Sequence, residues 1–120
     1  MDVAFSKSKA FAVRIVNLYS YLTKTKGEYV MSKQLLRSGT SIGANIAEAK
    51  YAESNADFVH KLEIAQKEAN ETENWLSVLF KSGIIDEATY RRLRNKCGKI
   101  RRMLIASVTT VKAKIENGQK

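Results

Sequence analysis

The chain predicts an all-α fold, an antiparallel up-down four-helix bundle assembled as a homo-oligomer. Three observations point to the bundle. The 120 residues contain no proline, the residue that most often stops helices. Apolar residues recur at three- and four-residue steps in four stretches, with no strand-like alternation. Short turn-forming segments separate those stretches. A 44% hydrophobic content is enough for one core at this length, so residues 1–120 read as a single domain.

The first helix lines up Phe11, Ile15, Leu18 and Leu22 and ends at Thr25-Lys26-Gly27. The second aligns Met31, Leu35, Ile42, Ile46 and Ala49, with Ser38 in the gap, and breaks at Glu53-Ser54-Asn55. Ser54 followed by Asp57 resembles a capping box for the third helix. That helix carries Phe58, Leu62, Ala65, Ala69, Thr72, Leu76 and Leu79 and stops at Ser82-Gly83. Asp86 is a good N-cap for the fourth, whose stripe is Leu93, Cys97, Ile100, Leu104, Ser107 and Val111. Short links between helices of roughly 18 to 30 residues make neighbours antiparallel.

The third helix has a second apolar stripe on its far side, Ile64, Trp75 and Val78, with Glu68 and Glu71 set among its residues. Either this helix is central and nearly all buried, or the stripe is an oligomer interface, where Trp is a common anchor; the interface is the expectation. The second helix carries Arg37, Ser41, Asn45 and Glu48 along one side and Gly39 and Gly43 four residues apart on another. Small residues admit a neighbouring backbone, and polar groups drawn into a packed seam need partners. Arg37 and Asn45 are therefore expected to bond to Glu68 and Glu71 across the bundle, fixing register, in preference to forming a ligand site.

These residues carry a resemblance. The string Gln34-Leu35-Leu36-Arg37-Ser38-Gly39-Thr40-Ser41-Ile42-Gly43-Ala44-Asn45-Ile46-Ala47-Glu48-Ala49, with Ala56-Asp57-Phe58 and Lys67-Glu68-Ala69-Asn70-Glu71-Thr72-Glu73-Asn74-Trp75-Leu76, resembles the bacterial four-helix-bundle family named for the protein encoded in intervening sequences of 23S ribosomal RNA genes. The likeness runs from about Phe5 to Ser82 and extends to the last helix only in length and basic character. It implies a small cytoplasmic bundle forming homo-oligomers, pentameric barrels in the best-understood relatives. Distant cousins in diversity-generating retroelements look like nucleic-acid-binding partners of a reverse transcriptase. The family motif maps onto Arg37, Ser41, Asn45, Glu48 and Glu71 as framework positions.

Charge supplies the functional signal. The net charge of +9 lies wholly in the last thirty residues, where ten basic side chains, Lys120 included, face Glu116 alone; the first ninety hold 11 basic and 11 acidic residues. Seven of the basic residues fall between Arg91 and Arg102, a local field that a polyanion would feel. With Leu93 at the centre of the core stripe, Arg91, Arg92, Arg94, Lys99, Arg101 and Arg102 fan across the opposite arc, where they would meet RNA or DNA phosphates with little sequence preference. Tyr90 reads as a packed helix-start residue in preference to a base-stacking one. The alternative is an oligomeric protein-interaction scaffold, an accessory to a nucleic-acid enzyme such as a reverse transcriptase, whose basic face is solvated.

Other classes find little support. His60 is the only histidine and reads as a solvated surface residue. With one histidine there is no pair of Glu-x-x-His motifs for a di-metal bundle, and Ser6-Lys7-Ser8-Lys9 matches Ser-x-x-Lys without its companion motifs. No catalytic residue, metal site or cofactor is expected, and the chain reads as non-enzymatic. Cys97, the only cysteine, falls on the core stripe and reads as an inert thiol. The N-terminus does not resemble a secretory signal. The run Met103 to Val111 is about half of the roughly 20 residues that span a bilayer, so the expected location is the cytoplasm.

Overall fold

The computed structural model describes residues 2–118, so Lys120 of the basic segment lies outside the described residues. Four helices make up the fold: α1 (Asp2–Lys24), α2 (Met31–Ala49), α3 (Asn55–Lys81) and α4 (Glu87–Glu116). Among the described residues there is no strand. The four have 23, 19, 27 and 30 residues, and α4 is about 45 Å long at about 1.5 Å per residue. The chain measures 53 × 21 × 21 Å, a cross-section that takes two helices each way at spacings of about 8 to 10 Å.

The apolar stripes meet in one core. Phe11, Ile15 and Leu22 of α1, Leu35, Ile42 and Ile46 of α2, Leu62, Leu76 and Leu79 of α3, and Ile100 and Leu104 of α4 are fully buried. The stripes drift at their ends. Ser32, Val59 and Val108 are buried, whereas Met31, Phe58, Ser107 and Val111, expected in the core, are only half-buried. In α4 the cause is the neighbour: α4 packs closely on α3 and only sparsely on α1. The buried edge therefore turns toward α3, where Lys112, one turn past Val108, reaches Glu63 (Nζ to Oε2, 3.0 Å).

The helix ends follow their local chemistry. Ser54 Oγ accepts the Asp57 N–H at 3.1 Å, and the Asp57 carboxylate accepts the Glu53 N–H at 3.1 Å, a capping box displaced by one residue on its return bond. Asp86 Oδ1 accepts the Thr89 N–H at 2.8 Å. At the end of α3, Gly83 takes φ 76°; its N–H bonds to Phe80 O and that of Ile84 to Leu79 O, both at 2.9 Å, the Schellman arrangement that needs a left-handed residue. The start of α2 is held by Glu28, whose carboxylate accepts the N–H groups of Val30, Met31 and Ser32 at 3.0, 3.0 and 2.7 Å.

Two seams of α2 differ in character. Toward α1 it presents Gly39 and Gly43: a Cβ at 39 would stand 2.9 Å from Cγ1 and Cγ2 of Ile15, and one at 43 would stand 3.0 Å from Ser8 Oγ. The backbones approach too closely there for side chains. Toward α3 the seam is polar. Thr72 Oγ1, fully buried, lies 2.9 Å from Ser38 Oγ and 2.8 Å from Glu68 O. At the outer edge Arg37 donates to Glu68 (Nη1 to Oε1, 3.2 Å) and to Glu71 (Nη2 to Oε2, 2.5 Å).

Arg37 thus takes both carboxylates as expected, but Asn45 does not. Its Nδ2 donates to Ser41 O within α2 at 2.9 Å, and Ser41 Oγ donates to Arg37 O at 2.6 Å; these short side chains meet a carbonyl of their own helix within reach. Glu48 is exposed. The placement of the second α3 stripe also differs from a far-side face. Positions 64, 68, 71, 75 and 78 share one flank, and because Arg37 holds 68 and 71, that flank borders α2. Ile64, Trp75 and Val78 are accordingly half-buried, with Trp75 packed on the core. The large apolar side chains left exposed on a helix body include Val3, Val13 and Val16 of α1.

Candidate nucleic-acid interface

Burial of Leu93, Cys97, Ile100, Leu104 and Val108 fixes the rotation of α4 and turns Arg91, Arg92, Arg94, Lys96, Lys99 and Arg102 outward, all exposed. Their heads are not equivalent. Arg91 lies one turn from Glu87 (Nη2 to Oε2, 3.7 Å), a pair at i, i+4 that is worth little in water. Arg94 sits over the Tyr90 ring, 5.2 Å from its centroid, and donates to Asn95 Oδ1 at 3.3 Å. Arg92, Lys96, Lys99 and Arg102 make no ion pair among the described residues.

Arg101 stands apart from this arc. Its Nε donates to Glu73 Oε2 of α3 at 2.8 Å, and the two side chains keep only 27% and 23% of their exposure. It belongs to the α3–α4 seam, because it continues the ridge Leu93, Cys97, Arg101 at four-residue steps. Gly98 is buried one turn before Arg102, and a Cβ there would stand 3.2 Å from Arg102 Nη1.

The aromatic residue at the start of α4 is occupied. Tyr90 stacks on Phe80, with centroids 4.8 Å apart and planes within 6°, as expected of a helix-start packing residue. His60 is exposed. Cys97 is buried, and burial together with the nearby Glu73 carboxylate pushes its thiol up to about 12; the S–H points to Ala69 O at 3.5 Å. Such a thiol carries almost no thiolate, the nucleophilic form, at neutral pH. Among the described residues no three His, Cys, Asp or Glu side chains cluster as a metal site, and no helix is long and apolar enough to cross a membrane.

A second cluster of positive charge went unread in the sequence. Between the C-terminal half of α1, the turn before α4 and the first turns of α4 lies an open groove of about 650 Å³, with Arg14, Lys26 and Arg92 among its lining residues. The signal was the run Arg14, Leu18, Tyr21 along one flank of α1, but periodicity alone does not say which neighbour that flank faces.

The model of the 23S rRNA-intervening sequence protein family matches residues 3–106. The chain belongs to that family. The match runs from the start of α1 through α3 and well into α4, beyond the Ser82 limit of the motif likeness. A solved structure from Bacteroides thetaiotaomicron, described as a protein of unknown function from the S23 ribosomal protein family, is 53% identical. The likeness covers 90% of this chain and 96% of that one, with a TM-score of 0.89. Neither match names an enzymatic activity. A search among curated proteins finds no match.

Proposed function

We propose that this family member is a non-enzymatic, cytoplasmic protein that binds RNA or DNA phosphates through α4 with little sequence preference. One observation carries the reading: Arg92, Lys99 and Arg102 project from one exposed helix face with no carboxylate partner among the described residues. Guanidinium and ammonium groups so placed exchange water and counterions for phosphate oxygens. The same helix keeps its acids at Glu87 and Glu116, near its two ends. The family's link to ribosomal RNA genes is consistent with an RNA partner.

Arg91 and Arg94 complete the arc, since neither Glu87 nor the Tyr90 ring holds them strongly. Arg101 contributes to the field and reaches phosphate only by leaving Glu73. A mobility-shift assay at low ionic strength tests the reading. Wild-type protein retards single-stranded and duplex oligonucleotides, and the Arg92→Ser/Lys99→Ser/Arg102→Ser variant retards them only at much higher protein concentration.

For the architecture we propose one antiparallel up-down four-helix-bundle domain. Support comes from contacts that run in opposite order along sequence neighbours: Asp2 with Lys50, Ser8 with Gly43 and Ile15 with Gly39 between α1 and α2, and Glu63 with Lys112 and Glu73 with Arg101 between α3 and α4. Of the expected polar framework, Arg37, Glu68 and Glu71 tie α2 to α3, whereas Ser41 and Asn45 bond within α2 and Glu48 is exposed.

The second reading, an oligomeric scaffold that serves as accessory to a nucleic-acid enzyme such as a reverse transcriptase, is favoured by apolar surface. Ile64, Trp75 and Val78 stay half-exposed along α3, and Val3, Val13 and Val16 stand out on α1. A homo-oligomer, pentameric by family resemblance, would cover such a stripe and repeat the α4 arc around a ring, so that weak patches act together. A solution mass equal to one 13.5 kDa chain would remove the oligomer.

A further inference from the structure

The groove between α1 and α4 carries positive charge from three separate segments. Arg14 comes from the middle of α1, Lys26 from the turn after it, and Arg92 from the second turn of α4. None of the three makes an ion pair among the described residues. The one acid in the lining, Asp86, is ionised: its bonds to Thr89 and the nearby Arg92 charge hold its carboxyl below the usual 3.8, so the lining sets three cations against one anion. The walls between the cations are Leu18, Tyr21 and Ile84.

Tyr21 gives the groove its chemistry. It keeps 44% of its exposure, whereas Tyr90 has its ring taken by Phe80 on one side and Arg94 nearby. The Tyr21 backbone is fixed, since its carbonyl accepts the N–H groups of Thr25 and Lys26 at 2.9 and 3.3 Å. The ring is thus an accessible platform on a fixed stretch of backbone, in one lining with three phosphate-seeking groups. The volume, about 650 Å³, lies within the range of small-molecule sites and accommodates a nucleoside unit. Arg92 belongs to both the groove and the outward arc, so a strand lying along α4 reaches the groove without a gap in charge.

We infer that this groove seats one unpaired nucleotide of a single-stranded nucleic acid, its base against Tyr21 and its flanking phosphates on Arg14, Lys26 and Arg92. The inference rests on the reading of α4 as a phosphate-binding helix and adds a preference that the arc alone does not give. An exposed helix face accepts single strands and duplexes alike, but only an unpaired base turns out of the strand to stack on a side chain.

The test is fluorescence anisotropy with a short labelled oligonucleotide, single-stranded and annealed to its complement, against the full chain and its variants. Tyr21→Ala weakens single-strand binding by about 5- to 150-fold, the range of one lost base–aromatic stack, and leaves duplex binding unchanged. Tyr21→Phe keeps both, and Arg14→Ser/Lys26→Ser weakens the single strand more than the duplex. Single-strand binding by Tyr21→Ala equal to wild type, with both ligands weakened by the Arg92→Ser/Lys99→Ser/Arg102→Ser variant, overturns the groove and leaves the α4 reading standing. No binding of either oligonucleotide by wild type at low salt overturns the α4 reading, and the groove with it. If circular dichroism shows Tyr21→Ala unfolded, Lys26→Glu in the exposed turn carries the same comparison.

Discussion

Arg101 of α4 reaches across the seam to Glu73 of α3, Nε to Oε2 at 2.8 Å, with about three-quarters of each side chain out of solvent. One cation of the basic segment is therefore part of the packing. Arg101→Ser strands a partly buried carboxylate and costs about 1–2 kcal/mol of stability, read by urea unfolding. Arg102→Ser, on the exposed face one residue on, leaves the stability within about 0.5 kcal/mol.

The close contact of α1 with α2 predicts a steric effect. A methyl at position 39 would sit 2.9 Å from two carbons of Ile15, so Gly39→Ala forces a backbone or rotamer shift and destabilises by about 1–3 kcal/mol. In the background of Ile15→Ala the same change costs much less. A double-mutant cycle by denaturant unfolding measures that coupling.

Glu28 gives the fold one source of acid sensitivity. Burial acts to raise its carboxyl, but the N–H donors of Met31, Ser32 and Val30 outweigh burial and hold it below its usual 4.5. Its folded pKa is depressed, so the stabilisation is complete above about 4.5 and is lost as pH falls through the lower folded value. Glu28→Ala should cost about 1 kcal/mol at neutral pH, the usual worth of an N-terminal cap. That difference shrinks when both proteins are unfolded at about pH 3.

Cys97 predicts chemical silence. With its thiol at about 12 and its side chain buried, it carries almost no thiolate at about pH 8, and a thiol-specific reagent labels it only as fast as the chain unfolds. The folded chain holds a proton that the unfolded chain releases above its usual 9.0, so this group removes stability as pH rises past about 9. Rapid labelling of the folded protein would contradict the packing of α4 on α3.

The helices, their breaks and most of the core were legible because each stripe is long and the caps at Ser54 and Asp86 are local. What escaped were relations between helices. Periodicity gives the angle of a residue from its own core stripe and not the neighbour on either flank; hence the stripe of Ile64, Trp75 and Val78 was placed on a far side, whereas it borders α2. Arg101 was grouped with the exposed arc, although its place four residues after buried Cys97 on the Leu93 ridge was a readable sign of a seam. Glu28 went unread as a cap because a glutamate three residues before a helix lacks the usual short-side-chain pattern. Asn45 was assigned a cross-helix partner where its own Ser41 carbonyl lay in reach.

The salt dependence of single-stranded oligonucleotide binding, measured for wild type and for the Arg92→Ser/Lys99→Ser/Arg102→Ser variant, tests the central claim most directly. Each single-strand phosphate neutralised contributes about 0.7 to the slope of log affinity against log salt. Loss of three contacts per chain should weaken binding and flatten the slope by about 2 per chain engaged. Equal affinity and equal slope for the two proteins would contradict the account, as would failure of the wild type to bind at low salt.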